Sequence, residues 1–296
     1  MFPQLKRAGA ARPETFTRYF LRQGKEEFDL LLFDIDGTLS SGGIPLPGAR
    51  ELLELLTERD FPYLLLTNDS FFSHREKAGL LRRAGLPVSE EHIYSCGDAL
   101  KLWKKQANYR GELLFRCGRL GRPSYARQAG IRTTDDPEKL PRCAGVIFGE
   151  GPYDWQRVFE AVFNRFLECP DLPMIVVNPD SYWPNATCSG MGIGSGAQAR
   201  FICGLLAEAG VKVEPCYIGK PYPLIYQGVT AELEERLGKK LRAGRIAMIG
   251  DSLASDIRGA NAVGLRSCLV LSGITTRALA AQASPDRKPD LIFSAV

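Results

Sequence analysis

The chain has 296 residues, 45% hydrophobic and 24% charged, an ordinary globular composition with length for two domains that each hold a core. A net charge of +4 without a basic stripe of interleaved aromatics excludes a nucleic-acid-binding signature and suits an anionic small molecule. No apolar run reaches the length of a membrane span, and eight cysteines without a C-x-x-C pair read as reduced thiols in a cytoplasmic protein.

In chain order, Lys6, Arg7, Arg12, Arg18 and Arg22 stand against one acid, Glu14, a charge balance that faintly suggests a transit peptide. Phe16, Tyr19 and Phe20, at helical spacing after Pro13, instead predict a short helix docked on the core. Next come four apolar residues, 30–33, which run unbroken into Asp34-Ile35-Asp36-Gly37-Thr38. That pattern is a strand buried on both faces, ending in a charged turn. Residues i and i+2 of an extended chain point the same way, so Asp34 and Asp36 are expected to converge past the strand's carboxyl end, where open α/β sheets bind ligands. Two carboxylates brought together repel unless one is protonated or a cation sits between them, and Mg²⁺ is the natural occupant. An EF-hand loop is set aside because its glycine belongs at the sixth loop position and here stands fourth.

The leucines at 52, 53, 55 and 56 predict an amphipathic helix over 49–59, and a second buried strand, 61–66, ends in Thr67-Asn68-Asp69-Ser70. Ser73 and Glu76 have capping-box spacing for a helix that stops near Gly85. From residue 95 the pattern restarts. Asp98 is expected to cap a helix to about 107, strands are expected near 112–116, 145–148 and 174–177, and helices are expected from an Asp154 cap, with an apolar face running from Val158 to Phe166, and over 197–209. The run 190–196 is glycine-rich. After it, Tyr217-Ile218-Gly219-Lys220-Pro221 leads into a helix to about 237. Strand 245–249 then ends in Gly250-Asp251-Ser252, with Asp256 five residues further, and strand 265–271 follows. The expected architecture is α/β. A Rossmann-like parallel sheet forms the core, residues 1–94 and 216–296, and an α/β cap domain, 95–215, is inserted into it.

Parallel strands share one carboxyl edge, so Asp34, Asp36, Thr67, Asn68, Lys220, Asp251 and Asp256 can meet there despite their separation in sequence. Together they are equipped for phosphoryl transfer. A Mg²⁺ held by Asp34 and Asp251 would neutralise phosphate and nucleophile, and Asp34 would attack phosphorus to form an aspartyl-phosphate. Asp36 would protonate the leaving oxygen and later deprotonate water, while Lys220, Thr67 and Asn68 hold the phosphate.

Asp34 to Thr38, the Leu-Leu-Thr-Asn ending at Asn68, Gly219-Lys220-Pro221, and Gly250-Asp251 with Asp256 resemble, in order, the four motifs of haloacid dehalogenase superfamily phosphatases. The insert between the second and third motifs, with Asn178-Pro179-Asp180 and Gly194-Ser195-Gly196-Ala197, resembles subfamily IIA, which carries a large α/β cap and includes p-nitrophenyl and nucleotide phosphatases. The resemblance runs from about residue 28 to the C-terminus. It implies a Mg²⁺-dependent phosphatase of a small phosphate ester. Asp34 is then nucleophile and metal ligand, Asp36 the acid/base that also gives its main-chain carbonyl to the metal, Asp251 the second metal carboxylate, and Asp256 a support. It further implies a homodimer paired through the cap. Asp69 stands where relatives often carry a second Asn, and Ile193 where a Pro usually precedes the glycine turn. A phosphotransferase or mutase would use the same chemistry with another hydroxyl as acceptor, and a binding protein could retain the fold without turnover.

Other patterns carry less. His74 and His92 read as structural, and Gly192-Ile193-Gly194-Ser195-Gly196-Ala197 lies too far from its strand for a dinucleotide fingerprint. Asn185-Ala186-Thr187 matches a glycosylation sequon by chance. Glu150, Gly151, Tyr182 and Trp183 are the loop candidates for leaving-group contacts.

Overall fold

A computed structural model describes residues 13–185 and 190–296. Lys6, Arg7, Arg12, Thr187 of the sequon and Cys188 fall outside them. Among the described residues every cysteine is a free thiol, and no helix is long and apolar enough to cross a membrane.

The strand Leu30–Phe33 is the middle of a six-stranded parallel sheet. Its neighbours are Ile246–Gly250 on one side and Tyr63–Thr67 on the other. Arg266–Val270 and Leu291–Phe293 extend the first side, and Ile93–Ser95 closes the second. Apolar residues alternate between two layers with the period of a strand. Leu31, Phe33, Tyr63, Leu65, Ala247 and Ile249 pack with Leu52, Leu53 and Leu56 of the helix Ala49–Glu58. Leu30, Leu32, Leu64, Leu66, Ile246 and Met248 pack with Tyr226 and Val229 of the helix Pro223–Leu237. Covering both faces is why the sequence shows unbroken apolar runs. The expected N-terminal docking is present: Phe16 is fully buried, with its ring centroid 5.4 Å from Phe293 and 5.8 Å from Phe33.

A second parallel sheet, five-stranded, lies in sequence between Ser95 and Ile246. Its order is Cys216–Tyr217, Met174–Val176, Val146–Phe148, Leu113–Cys117, Arg132–Thr134. One face is covered by the helices Trp155–Glu168 and Ser195–Glu208. The other contributes Leu114, Ile147 and Ile175 to the same apolar cluster as the first sheet.

Three expectations are corrected. Cys216 and Tyr217 pair with Ile175 and Val176, so these two residues belong to the second sheet, not to the core segment expected to resume at 216. The helix Leu100–Gln106 has no side-chain cap; Asp98 instead accepts from the Ser95 amide at 2.8 Å and pairs with His74 Nε2 at 2.7 Å. That helix packs on Pro223–Leu237 of the first sheet, although residues from 95 onward were assigned to the insert. The glycine-rich run, to which the sequence assigns no element, includes the strand Gly190–Ile193, paired antiparallel with Tyr182–Asn185. Glycine is required there because a Cβ at Gly192 would lie 2.4 Å from the Trp183 ring.

Candidate active site

The carboxyl edge of the first sheet gathers the charged residues. The ladder continues one residue past Phe33, with the Asp34 amide donating to Ile249 O at 2.8 Å. The chain then turns, and the amides of Leu39 and Ser40 converge on Ile35 O at 2.9 Å each. Gly37 occupies a left-handed conformation, and a Cβ there would come 2.2 Å from Asp251 Oδ2. Only glycine lets the Asp34 turn and Asp251 lie this close.

Asp251 follows the strand Ile246–Gly250, and its Oδ2 accepts from the Ile274 amide at 2.7 Å. Asp256 sits in the wide, π-helical turn Leu253–Ile257, with Oδ2 accepting from the Ser252 amide at 3.1 Å. Lys220 reaches in from the loop before Pro223–Leu237. Its ammonium, buried with 2% of the side chain exposed, lies 2.6 Å from Asp34 Oδ1 and 2.7 Å from Asp256 Oδ1. Burial alone would lower this lysine's pKa, but the charges of Asp256 and Asp34 outweigh it and hold it well above the ordinary value.

Carboxylate oxygens of Asp34, Asp251 and Asp256 lie within 4.8 Å of one another. Burial, with the charges of Asp34 and Asp256, pushes Asp251 up to about 8; burial, opposed by Lys220, pushes Asp256 up to about 6. Carboxyl groups that resist ionising together are the donor set a hard divalent cation satisfies. Because Lys220 and Ser252 occupy the two oxygens of Asp256, the pair that fits such an ion is Asp34 and Asp251.

The carboxyl of Asp36 is not in this group. The main chain turns at Ile35; the charge of Asp34 still acts on the Asp36 carboxyl, which lies near it without joining the cluster. Only the Asp36 main-chain carbonyl remains as its candidate ligand. Asp36 is exposed to solvent. Partial loss of water around its carboxyl, with the charges of Asp34 and Asp69 adding, raises its pKa, and Lys77 acts the other way.

Two models of known families match this chain, haloacid dehalogenase-like hydrolase over residues 31–132 and HAD-hydrolase-like over residues 217–296. The chain belongs to the haloacid dehalogenase-like hydrolases. It is similar to the dihydroxyacetone phosphatase of Corynebacterium glutamicum, 29% identical over 82% of this chain and 81% of that protein. It is also similar to the ribonucleotide monophosphatase NagD of Escherichia coli, 26% identical over 83% of this chain and 88% of that protein. Its fold superposes on glycerol phosphate phosphatase from Mycobacterium tuberculosis in complex with magnesium with a TM-score of 0.74. The identity is 25%, over 92% of this chain and 76% of that one.

In this hydrolase Thr67 Oγ1 accepts from the Asp69 amide at 3.1 Å, which fixes the oxygen and leaves its hydroxyl hydrogen to donate. The Asn68 side-chain amide is engaged within the protein. Its Nδ2 donates to Lys220 O at 2.9 Å and Asp180 Oδ1 at 3.1 Å, and its Oδ1 accepts from the Lys220 amide at 2.7 Å. The side chain is a clamp on the Lys220 backbone. A Cβ at Gly219 would lie 2.5 Å from Asn68 Oδ1, so the glycine before Lys220 makes room for it.

One residue at the site, Lys77, carries no signal in the sequence. Lys77, on the helix His74–Ala84, pairs with Asp69 Oδ2 at 2.5 Å. Burial would lower its pKa, but Asp69 and Asp36 hold it above the ordinary range. Glu150 follows Val146–Phe148 and accepts from the Asn178 amide; burial, with Asp69 and Asp180 adding, pushes it up to about 8. Burial likewise pushes Asp180 up to about 6, opposed by Lys220 and Asn68. The second sheet grips the loop carrying Asp69. Arg119 lies 4.4 Å over the Phe71 ring and holds both Glu76 oxygens at 2.6 and 2.7 Å, and Tyr125 OH donates to Phe72 O at 2.9 Å.

Of the loop candidates, Glu150 meets the charges of the site, and Gly151 packs where a Cβ would strike the Phe71 ring at 2.5 Å. Tyr182 and Trp183 are exposed on the hairpin. The run Gly194-Ser195-Gly196 serves packing: Ser195 Oγ donates to Asn178 O at 2.9 Å, and a Cβ on Gly196 would lie 2.0 Å from Pro179 O.

Proposed function

We propose that this chain is a Mg²⁺-dependent phosphomonoester hydrolase acting on a small phosphorylated metabolite through an aspartyl-phosphate intermediate. The observation that carries the reading is Lys220, buried between Asp34 and Asp256 beside Asp251 at the carboxyl edge of the sheet. The lysine supplies a compact positive charge for the phosphate and turns the Asp34 oxygen into a fixed position for attack.

An oxygen of Asp34 attacks phosphorus and the bond from phosphorus to the leaving oxygen breaks, while Asp36 gives that oxygen its proton. The raised pKa of Asp36 favours the protonated form this step needs. Asp36, now a carboxylate, takes a proton from water as the water oxygen attacks phosphorus and the bond to Asp34 breaks, releasing phosphate. Asp34 and Asp251 would hold a divalent cation, which would neutralise charge on the phosphate dianion and the nucleophile. Thr67 and Lys220 orient the phosphoryl oxygens, and Asn68 holds Lys220 in place. We place residues 13 to about 107 and 218–296 in the catalytic core and the described residues between in a cap, in a cytoplasmic, homodimeric enzyme.

The direct test is phosphate release from p-nitrophenyl phosphate with Mg²⁺ and with EDTA. Chelation is expected to lower the rate by more than about 100-fold, with recovery on adding Mg²⁺ back. Release indifferent to EDTA would contradict the metal role.

A further inference from the structure

Four residues from the part of the chain that builds the second sheet, Arg119, Tyr125, Gly151 and Asp180, meet the first sheet's chain on one short stretch, residues 68–76. Asp180 accepts from the Asn68 amide at 3.1 Å, Tyr125 OH donates to Phe72 O at 2.9 Å, and a Cβ at Gly151 would lie 2.5 Å from the Phe71 ring. Arg119 makes the charged contact. Its Nη2 donates to both Glu76 oxygens, at 2.6 and 2.7 Å, and its guanidinium lies 4.4 Å over the Phe71 ring. Nε is buried without a hydrogen-bond partner among the described residues, so the group is placed through Nη2 and its stacked face.

The same stretch is tied to the phosphate-handling edge. Glu76 Oε2 accepts from the Ser73 amide at 2.9 Å and from Ser73 Oγ at 2.8 Å, the capping box that starts the helix His74–Ala84. The next residue, Lys77, pairs with Asp69 Oδ2 at 2.5 Å, and Asp69 Oδ1 accepts from the Phe71 and Phe72 amides at 2.8 and 3.3 Å. The Asp69 amide in turn donates to Thr67 Oγ1 at 3.1 Å. One helical turn thus carries, side by side, the acid that holds the second sheet and the cation that holds the loop after Thr67. The Arg119 and Glu76 side chains are 21% and 36% exposed, so solvent and salt screen this pair less than a surface pair.

We propose that Arg119 is a positioning residue that latches the second sheet onto residues 71–76 and, through Lys77 and Asp69, keeps Thr67 aligned for the phosphoryl group. Its kinetic consequence rests on the phosphomonoesterase reading; its structural consequence does not. Glutamine at 76 retains the capping box and lacks the charge that Arg119 pairs with, so the start of the helix and the latch can be separated. Methionine at 119 keeps apolar bulk over Phe71 and removes the donors.

Backbone hydrogen exchange of the full chain is compared for the unaltered protein, Arg119→Met, Arg119→Lys and Glu76→Gln. The amides of Phe71, Phe72 and Ser73 are expected to exchange at least about fivefold faster in Arg119→Met and Glu76→Gln, with Arg119→Lys in between and the amides of the helix Trp155–Glu168 unchanged. With Mg²⁺ and p-nitrophenyl phosphate, kcat/KM is expected to fall about tenfold in Arg119→Met and in Glu76→Gln, and no further in the double variant, because both substitutions remove one interaction. Unchanged exchange at 71–73 overturns the proposal, as does faster exchange throughout the chain. Losses that multiply in the double variant also overturn it, since they are the result expected of an Arg119 that touches the substrate itself. Absence of release by the unaltered protein would instead remove the phosphomonoesterase reading, and the exchange of residues 71–73 then decides the latch alone.

Discussion

Replacing Asp34 with Asn is expected to lower Mg²⁺-dependent phosphate release by at least about 10⁴-fold, a loss that falls on kcat and not on KM alone. The amide has the size of the carboxylate but no oxygen able to attack phosphorus. It also withdraws one of the two carboxylates that fit the cation. The fold should survive, because the charge of Asp34 is one of the terms forcing Asp251 and Asp256 upward, and its removal relieves them. Thermal unfolding of the metal-free variant should thus occur at or above the temperature of the unaltered protein. A variant that unfolds and is inactive would leave the nucleophile unidentified, so activity and melting are measured on the same preparation. Activity within about tenfold of the unaltered protein would sink the assignment of Asp34.

Lys220→Met is expected to remove stability and activity together. Its ammonium is buried and touches two carboxylates, so the substitution leaves Asp256 without its counter-charge in a site with almost no solvent. Removing one partner of a buried pair costs about 3–5 kcal/mol, to be read as a shift of the urea midpoint near pH 8. The sign of the pH dependence follows from Asp256. Without Lys220 its folded-state pKa rises further above the unfolded value, so the folded state takes up a proton as pH falls. The penalty is therefore largest at high pH and shrinks below the raised value. Adding Asp256→Asn to Lys220→Met should recover much of the stability and none of the activity. Arginine at 220 should not restore function, since a planar guanidinium does not fit a cleft shaped to a point charge between Asp34 and Asp256.

Much of this arrangement was readable because parallel strands put their ends on one edge. Apolar runs at 30–33, 63–66 and 246–249 are buried on both faces, and each ends in a small or acidic residue at the same edge. That geometry brings Asp34, Asp251 and Asp256 together across more than two hundred residues of sequence. What was not readable depends on which way a side chain turns. The address of Asn68 was legible, but its amide faces Lys220 and Asp180, a choice made by residues 112 and 152 positions away. Lys77 gave no signal, as a lysine on a polar helix looks solvated until Asp69 and Glu150 close over it.

Strand alternation puts the Asp36 carboxyl within reach of the Asp34 charge, and the turn at Ile35 leaves it outside the cluster of Asp34, Asp251 and Asp256. Short strands such as Arg132–Thr134 and Cys216–Tyr217 carry too few residues to show a period and form by pairing with longer neighbours. The strand pair Tyr182–Asn185 with Gly190–Ile193 shows no alternating apolar pattern, because Gly192 and Gly194 are set by close approach to Trp183 and Asp180.

The most direct test of the account is to look for the phosphoryl group on the protein. With p-nitrophenyl phosphate the leaving group needs little protonation, so an Asp36→Asn variant should still form the aspartyl-phosphate but hydrolyse it slowly. Acid quenching of that variant with labelled substrate and Mg²⁺ is predicted to trap a hydroxylamine-labile label, approaching one per chain, on the peptide that contains Asp34. The label should be absent when Asp34 is Asn. Steady release of phosphate with no label on the protein, or a label on another residue, would contradict the nucleophilic role of Asp34 and with it the mechanism proposed for this site.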